Sequence, residues 1–153
     1  SSRLAALVAQ QRITRADVYF NSPGGSLIAG MAIGRLLRQH GFDAHVGKRT
    51  QDVREQVGGV CYSACPFAYA GGERRYLRSD SVLGVHRAAN RLPVPEEGAF
   101  ERLVAQQATE YLLAMGVSPE LVRIMSQVSH DALRSLTPQE AERLMLVNER
   151  TCP

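Results

Sequence analysis

The pattern of apolar and polar positions alternates between helical and extended spacing through the first half of the chain. Leu4, Leu7, Val8 and Gln11 fall on one helical face, which predicts a helix ending near Arg12 to Thr14. "DVYFNS", Asp17 to Ser22, is a short β-rich run closed by Pro23-Gly24-Gly25, the pattern of a buried strand entering a turn. "SLIAGMAIGRLLRQHG" then presents Leu27, Met31, Ile33, Leu36 and Leu37 as the apolar face of a helix, with Gly41 as its C-cap. "DAHVG" predicts a second strand, polar Lys48 to Gly59 a loop, and "ACPFAYAGG" a compact helix stopped by glycine. "RRYLR" and "SVLGVHR" predict two more strands with a turn at Ser79-Asp80.

After His86 the pattern turns helical. A Pro-rich loop, "NRLPVPEEG", leads into the long amphipathic stretch "AFERLVAQQATEYLLAMG". "SPELVRIMSQV" follows, with Ser118 as N-cap and Pro119 in the first turn. In "TPQEAERLML", Thr137 caps the helix, Pro138 starts it and Glu140 completes a capping box. Strand–helix alternation with a helical tail predicts an α/β domain with a largely parallel sheet.

Composition changes this picture little. A length of 153 residues suits one domain with its own core. The net charge of +3 comes from basic residues spread along the chain (Arg3, Arg12, Arg15, Arg35, Arg38, Arg74, Arg75, Arg78), which reads as a solvated mixed surface. Basic and aromatic residues do not alternate, so nucleic-acid binding is not expected. No apolar run nears the roughly 18 residues of a membrane span, and no signal-peptide pattern is seen. The chain starts without Met, so a missing leader says little about compartment. Three cysteines allow one disulfide and one cysteine left over.

Candidate chemistry gathers in two places. "NSPGG" ends a strand where a helix begins, and in open α/β sheets such turns lie at the ligand-binding edge. Bare glycine backbone can donate N–H groups to an anion or oxyanion, or simply make a tight turn; the lysine of a phosphate loop is absent. In "VCYSACPFAYAGG", Ser63 precedes a short helix, as an N-cap or as a nucleophile if a base stands beside it. His40, His45 and His130 lie at a helix end, in a strand and in a polar loop, whereas His86 ends the apolar strand "SVLGVH" at the same sheet edge. Ser63, His86 and a Gly-Gly donor turn together form a more specific signal than any one of them.

These residues carry a resemblance. "VYFNSPGGSLIAGMAIGRLL" resembles the strand–turn–helix of the Clp protease proteolytic subunit, in the ClpP/crotonase superfamily, whose pattern is approximately I-N-S-P-G-G-S-V-x-A-G-x-A-I. "CYSACPFAYAGG" is similar to that family's nucleophile segment, with Ser63, Phe67, Ala70 and Gly72 in register, and "SVLGVH" to its histidine strand. The order of the tail helices matches too, so the resemblance runs from about Asp17 to Val147. "CYSAC", "GGERR" and "GVH" are most similar to a periplasmic or secreted branch. The resemblance implies a single domain over residues 1–153 with the family's β-β-α spiral fold, its first strand missing from the chain. Ser63 would be the nucleophile, His86 the general base, and the N–H groups of Gly25 and Ala64 the oxyanion hole. Asp131 is the candidate acid, farther from Glu140-Ala141 than the family spacing; a Ser-His dyad is the alternative. Ala64-Cys65-Pro66 replaces the family's Met-Gly, and Lys48 to Gly59 is longer than the family link.

The same resemblance implies a peptidase acting on peptide or protein substrates, with no cofactor or metal, assembled as a homo-oligomer through the handle-like helix Ala99 to Met115. The expected compartment is periplasmic or secreted, with cytoplasmic as the alternative; a partner ATPase is not expected where ATP is scarce. Cys61 and Cys65 bracket Ser63, and a turn entering a helix can bring their Cα atoms within the roughly 7 Å a disulfide needs. Cys152 could pair with one of them instead. A zinc site from Cys61, Cys65 and His86 lacks a fourth ligand and standard spacing, and Cys65 as nucleophile is a further alternative. Two rival functions are a non-catalytic binding scaffold and a crotonase-like acyl-thioester enzyme.

Overall fold

In the computed structural model, which describes residues 2–50, 55–88 and 97–149, the amphipathic start forms α1 (Ser2–Gln10) and buries Val8. The run before the Pro-Gly-Gly turn forms β1 (Asp17–Phe20). Helix α2 (Leu27–His40) begins at Ser26, whose hydroxyl accepts the Ala29 N–H, and ends at left-handed Gly41 (φ 63°). Strand β2 (Asp43–Val46) follows. The segment read as a plain loop contains a short antiparallel pair, β3 (Lys48–Arg49) with β4 (Gln56–Val57). Two-residue strands leave too little alternation for the sequence pattern to register.

Strand β5 (Val60–Tyr62) leads through Ser63 into α3 (Cys65–Ala70). Strands β6 (Arg75–Leu77) and β7 (Val82–Val85) come next. The expected Pro-rich loop falls largely on residues 89–96, outside the described ones; α4 (Glu97–Ala114) begins two residues before the expected Ala99. Helix α5 (Glu120–Ser126) starts two residues after Ser118, whose hydroxyl accepts the Glu120 N–H at 3.3 Å. Strand β8 (Arg134–Ser135) was not foreseen in the polar "SHDALRS"; it pairs antiparallel with β7. Helix α6 (Pro138–Arg143) carries the expected capping box, with Thr137 and Glu140 each accepting the other's backbone N–H.

The fold is mixed α/β. Strands β1, β2 and β6 form one parallel sheet, in the order β1-β2-β6. The second has the order β5-β7-β8, with β5 and β7 parallel. A parallel bridge between Ser22 and Cys61 joins them: Ser22 N–H donates to the Val60 carbonyl (2.7 Å) and the Ser22 carbonyl accepts Tyr62 N–H (3.0 Å). The carboxyl ends of β1, β5 and β7 therefore open on one edge.

Helices α2 and α3 pack backbone to backbone. A Cβ on Gly71 would lie 2.0 Å from the Gly34 carbonyl oxygen, so only glycine permits this crossing. The adjoining core holds Phe67, Tyr69 and Tyr111, and the Tyr111 hydroxyl donates to the Phe67 carbonyl at 2.6 Å.

Two arginines depart from the expected solvated surface. Arg75 is 2% exposed. Its guanidinium donates to the carbonyls of Leu146, Ala70, Gly72 and Met145. Arg38, half-buried, donates to Ala70, Gly71, Gly72 and Met115. Burial, with a smaller contribution from Arg38, lowers the Arg75 pKa to about 10, so the group stays charged at neutral pH. The carbonyls left over at the end of a helix are natural acceptors for such cations. Sequence spacing does not single these two out among 18 basic side chains.

Candidate active site

Strand register brings Ser63 and His86 to the same edge. In the parallel pair β5–β7, Val60, Cys61 and Tyr62 stand opposite Val82, Leu83 and Gly84. Ser63 leaves the end of β5, and its N–H donates to the Gly84 carbonyl at 3.0 Å. His86 follows one residue after β7, half-buried like Ser63.

Ser63 is not the N-cap of α3. Ala64 holds that position, no side chain caps the helix, and Ser63 itself has φ 61°. Left-handed backbone costs a non-glycine residue roughly 1–3 kcal/mol and is retained where its surroundings force it. A sharp strand-to-helix turn of this kind lifts a serine hydroxyl out of the sheet. Gly24 packs closely against this turn: a Cβ on Gly24 would lie 2.6 Å from Ser63 Cβ and 3.2 Å from Ser63 Oγ.

The "NSPGG" turn is tied to β5. Asn21 Oδ1 accepts the Val60 N–H at 3.1 Å. Ser22 Oγ accepts the Gly24 N–H at 3.2 Å. Gly24 and Gly25 take φ values of 115° and 149° that side chains rarely adopt. Among the described residues, no hydrogen bond occupies the N–H of Gly25 or of Ala64. The space beside Gly25 is open, with no atom within 4 Å of an ideal Cβ.

His86 has a defined tautomer. Its Nδ1 lies 2.8 Å from the Arg87 carbonyl oxygen. A carbonyl only accepts, so Nδ1 carries a proton, and in the neutral ring Nε2 is the nitrogen with the lone pair. The Arg87 N–H, bonded to the Val128 carbonyl at 3.0 Å, anchors this segment to the end of α5. Sequence reading, which looked for a carboxylate, missed this carbonyl because every residue has one.

Not every expected residue joins the group. Ser63 Oγ has no hydrogen-bond partner among the described residues, so its bond to His86 is not formed in this structure. Asp131 stands elsewhere: its carboxylate is 2.7 Å from His130 Nε2, its side chain is 76% exposed, and no bond to His86 is formed. Cys61 and Cys65 form a disulfide with Cα atoms 5.1 Å apart. Joined this way, neither supplies a thiolate, which removes both the zinc site and Cys65 as nucleophile. Among the described residues, no cluster of three metal-ligating side chains occurs. Cys152 lies outside the described residues.

Beside this edge is an apolar cavity of about 130 Å³. Leu27 of α2, Phe67 of α3, and Val104, Ala108 and Met125 of the tail helices line it, with Arg87 at the rim. Three of its walls are near neighbours in sequence of the candidate residues: Leu27 of Gly25, Phe67 of Ser63, Arg87 of His86.

No protein-family model matches the chain. Solved structures do match, 114 chains in all. One is a membrane-bound stomatin-specific protease, 1510-N, solved in a serine-to-alanine form. It superposes with a TM-score of 0.60 at 14% identity, over 98% of this chain and 70% of that one. At that identity the likeness is one of fold alone. No helix among the described residues is long and apolar enough to cross a membrane.

Proposed function

We propose that the protein is a ClpP-like serine hydrolase, a peptidase, with Ser63 as nucleophile and His86 as base. The observation that carries this reading is the convergence, at one sheet edge, of a serine in strained left-handed backbone, a histidine Nε2 and two N–H donors, the last three without a hydrogen-bond partner among the described residues. In the reaction, Ser63 Oγ bonds to the scissile carbonyl carbon as its proton passes to His86 Nε2. The N–H groups of Gly25 and Ala64 stabilise the resulting oxyanion. His86 returns the proton to the departing amine; water then repeats the sequence and releases the acid. The Arg87 carbonyl orients the imidazole, a role a triad gives to its carboxylate, and Asp131 stays outside this dyad.

The protease fold of the solved neighbour supports a peptide or protein substrate. The cavity, smaller than the roughly 300 Å³ typical of pockets for whole small ligands, fits one apolar side chain of such a substrate. A disulfide supports an oxidising compartment, periplasmic or secreted. Helix α4 keeps Leu103 and Leu113 53% and 59% exposed, which supports its use as a contact between copies in a homo-oligomer.

A fluorophosphonate probe tests the chemistry. Wild type should be labelled at Ser63 and folded Ser63→Ala should not. The unformed Ser63–His86 bond favours a second reading, a silent binding scaffold, and an unlabelled wild type would establish it over the first. Apo geometry at catalytic hydrogen bonds is commonly loose and tightens with substrate.

A further inference from the structure

We propose that Ser22 is a positioning residue that sets the two oxyanion donors relative to each other; this rests on the hydrolase reading above. Ser22 acts in two directions. Its backbone N–H and carbonyl bond to Val60 and Tyr62, which fixes it to β5 immediately before Ser63 and Ala64. Its hydroxyl accepts the Gly24 N–H at 3.2 Å and donates to the Gly24 carbonyl at 3.4 Å, and that carbonyl shares its peptide plane with the Gly25 N–H. One residue thus spans both halves of the hole: Ala64 is held through the strand, and Gly25 through the side chain.

Nothing else in the turn can do this. Pro23 has no N–H to donate. Gly24 and Gly25 lack side chains, and glycine is the residue with the most backbone freedom to lose. Among the described residues, the Ser22 hydroxyl supplies the only hydrogen bond to the N–H groups of Gly24 and Gly25. Without it the Gly24-Gly25 segment gains freedom while the bridge to β5 persists. The Gly25 donor would then lie off its productive position for part of the time, and oxyanion stabilisation falls steeply with donor geometry.

Ser22→Ala and Ser22→Thr test this. In the fluorophosphonate reaction, saturation kinetics separate the maximal phosphonylation rate from the probe concentration giving half of it. Ser22→Ala should lower the maximal rate by about 10-fold to 100-fold, below the full loss of a donor, and leave the half-saturating concentration within about twofold. Ser22→Thr keeps the hydroxyl and should restore most of the rate. Amide hydrogen exchange gives a readout independent of activity. The Gly24 amide should exchange faster in Ser22→Ala than in wild type or Ser22→Thr, with Tyr62 and Ser63 amides unchanged. A labelled wild type with an equally reactive Ser22→Ala overturns the positioning role and leaves the hydrolase reading intact. Equal slowing in Ser22→Ala and Ser22→Thr, or loss of protection at Tyr62 as well, also overturns it. A wild type that is not labelled at all overturns both the hydrolase reading and this role.

Discussion

Gly24 lies directly against Ser63: a Cβ added to Gly24 would sit 2.6 Å from Ser63 Cβ and 2.8 Å from the Tyr62 carbonyl oxygen. The Ser63 turn and the Gly24-Gly25 turn are therefore packed against each other. Gly24→Ala meets both this overlap and a φ of 115°. We expect a loss of more than about 1 kcal/mol in denaturant unfolding, with fluorophosphonate labelling abolished at temperatures where the variant is still folded. Labelling at the wild-type rate would refute the close coupling.

Asp131 pairs with His130 and is largely exposed. Asp131→Asn should therefore change the labelling rate by no more than about twofold, whereas losing the carboxylate of a working triad costs about 10⁴ in kcat. A drop of that size would restore Asp131 as the acid. His130→Ala, measured alongside, should also be neutral.

The disulfide closes a short loop around Ser63. In the chain-entropy description a loop of this size stabilises the fold by about 2 kcal/mol. The Cys61→Ala/Cys65→Ala double variant should lose that much in urea unfolding. Mass spectrometry of alkylated protein without reductant should show Cys61 and Cys65 linked; finding both alkylated would contradict the bond.

Filling the apolar cavity should alter substrate choice before it alters chemistry. Ala105, half-buried in the cavity wall, is the place to do so. Ala105→Phe should lower kcat/KM by about 10-fold or more for peptides with a large apolar residue before the cut, consistent with the roughly 1–3 kcal/mol such pockets discriminate. Fluorophosphonate labelling with a small alkyl probe should hardly change. Equal loss for all substrates would place the pocket elsewhere in the mechanism.

Glu140 links β8 to α6. The Thr137 N–H, and then the Arg134 charge, hold its pKa below the usual 4.5. A depressed carboxylate stabilises the fold above its unfolded pKa and loses that contribution as pH falls through the folded value. Glu140→Gln keeps an acceptor for the Thr137 N–H but loses the charge facing Arg134, so it should lower stability by up to about 1 kcal/mol at pH 7, with the difference shrinking as pH falls below the usual carboxylate value and the wild type protonates. Thermal unfolding at pH 7 and pH 3 measures both; a pH-independent difference would exclude the carboxylate as its source.

Legibility in the sequence followed local physics. Helix α2 was readable because Ser26, the apolar stripe and Gly41 all act within the segment, and α6 because Thr137 and Glu140 cap each other. Strand β8 was not, since two polar residues become a strand only when β7 offers them an edge. At the site, Ser63 and His86 were singled out by their place in the chain, and register set them at one edge. The left-handed backbone of Ser63 was invisible, because positive φ at a non-glycine residue has no mark in the local sequence. Arg75 read as surface because the carbonyls that bury it come from residues distant in sequence.

Those carbonyls have a consequence for how the segment after Ser63 is held. Helix α3, which starts just after Ser63, ends in a clamp whose guanidinium groups also reach Met115, Met145 and Leu146. A fragment lacking the residues around Met145 would leave Arg75 buried with half its acceptors gone, at a cost of several kcal/mol for a poorly compensated charge. The α3 segment that follows Ser63 and the C-terminal segment are therefore held together through the clamp. Clipping the chain near Met145 should therefore loosen the end of α3, and with it the packing beside Ser63.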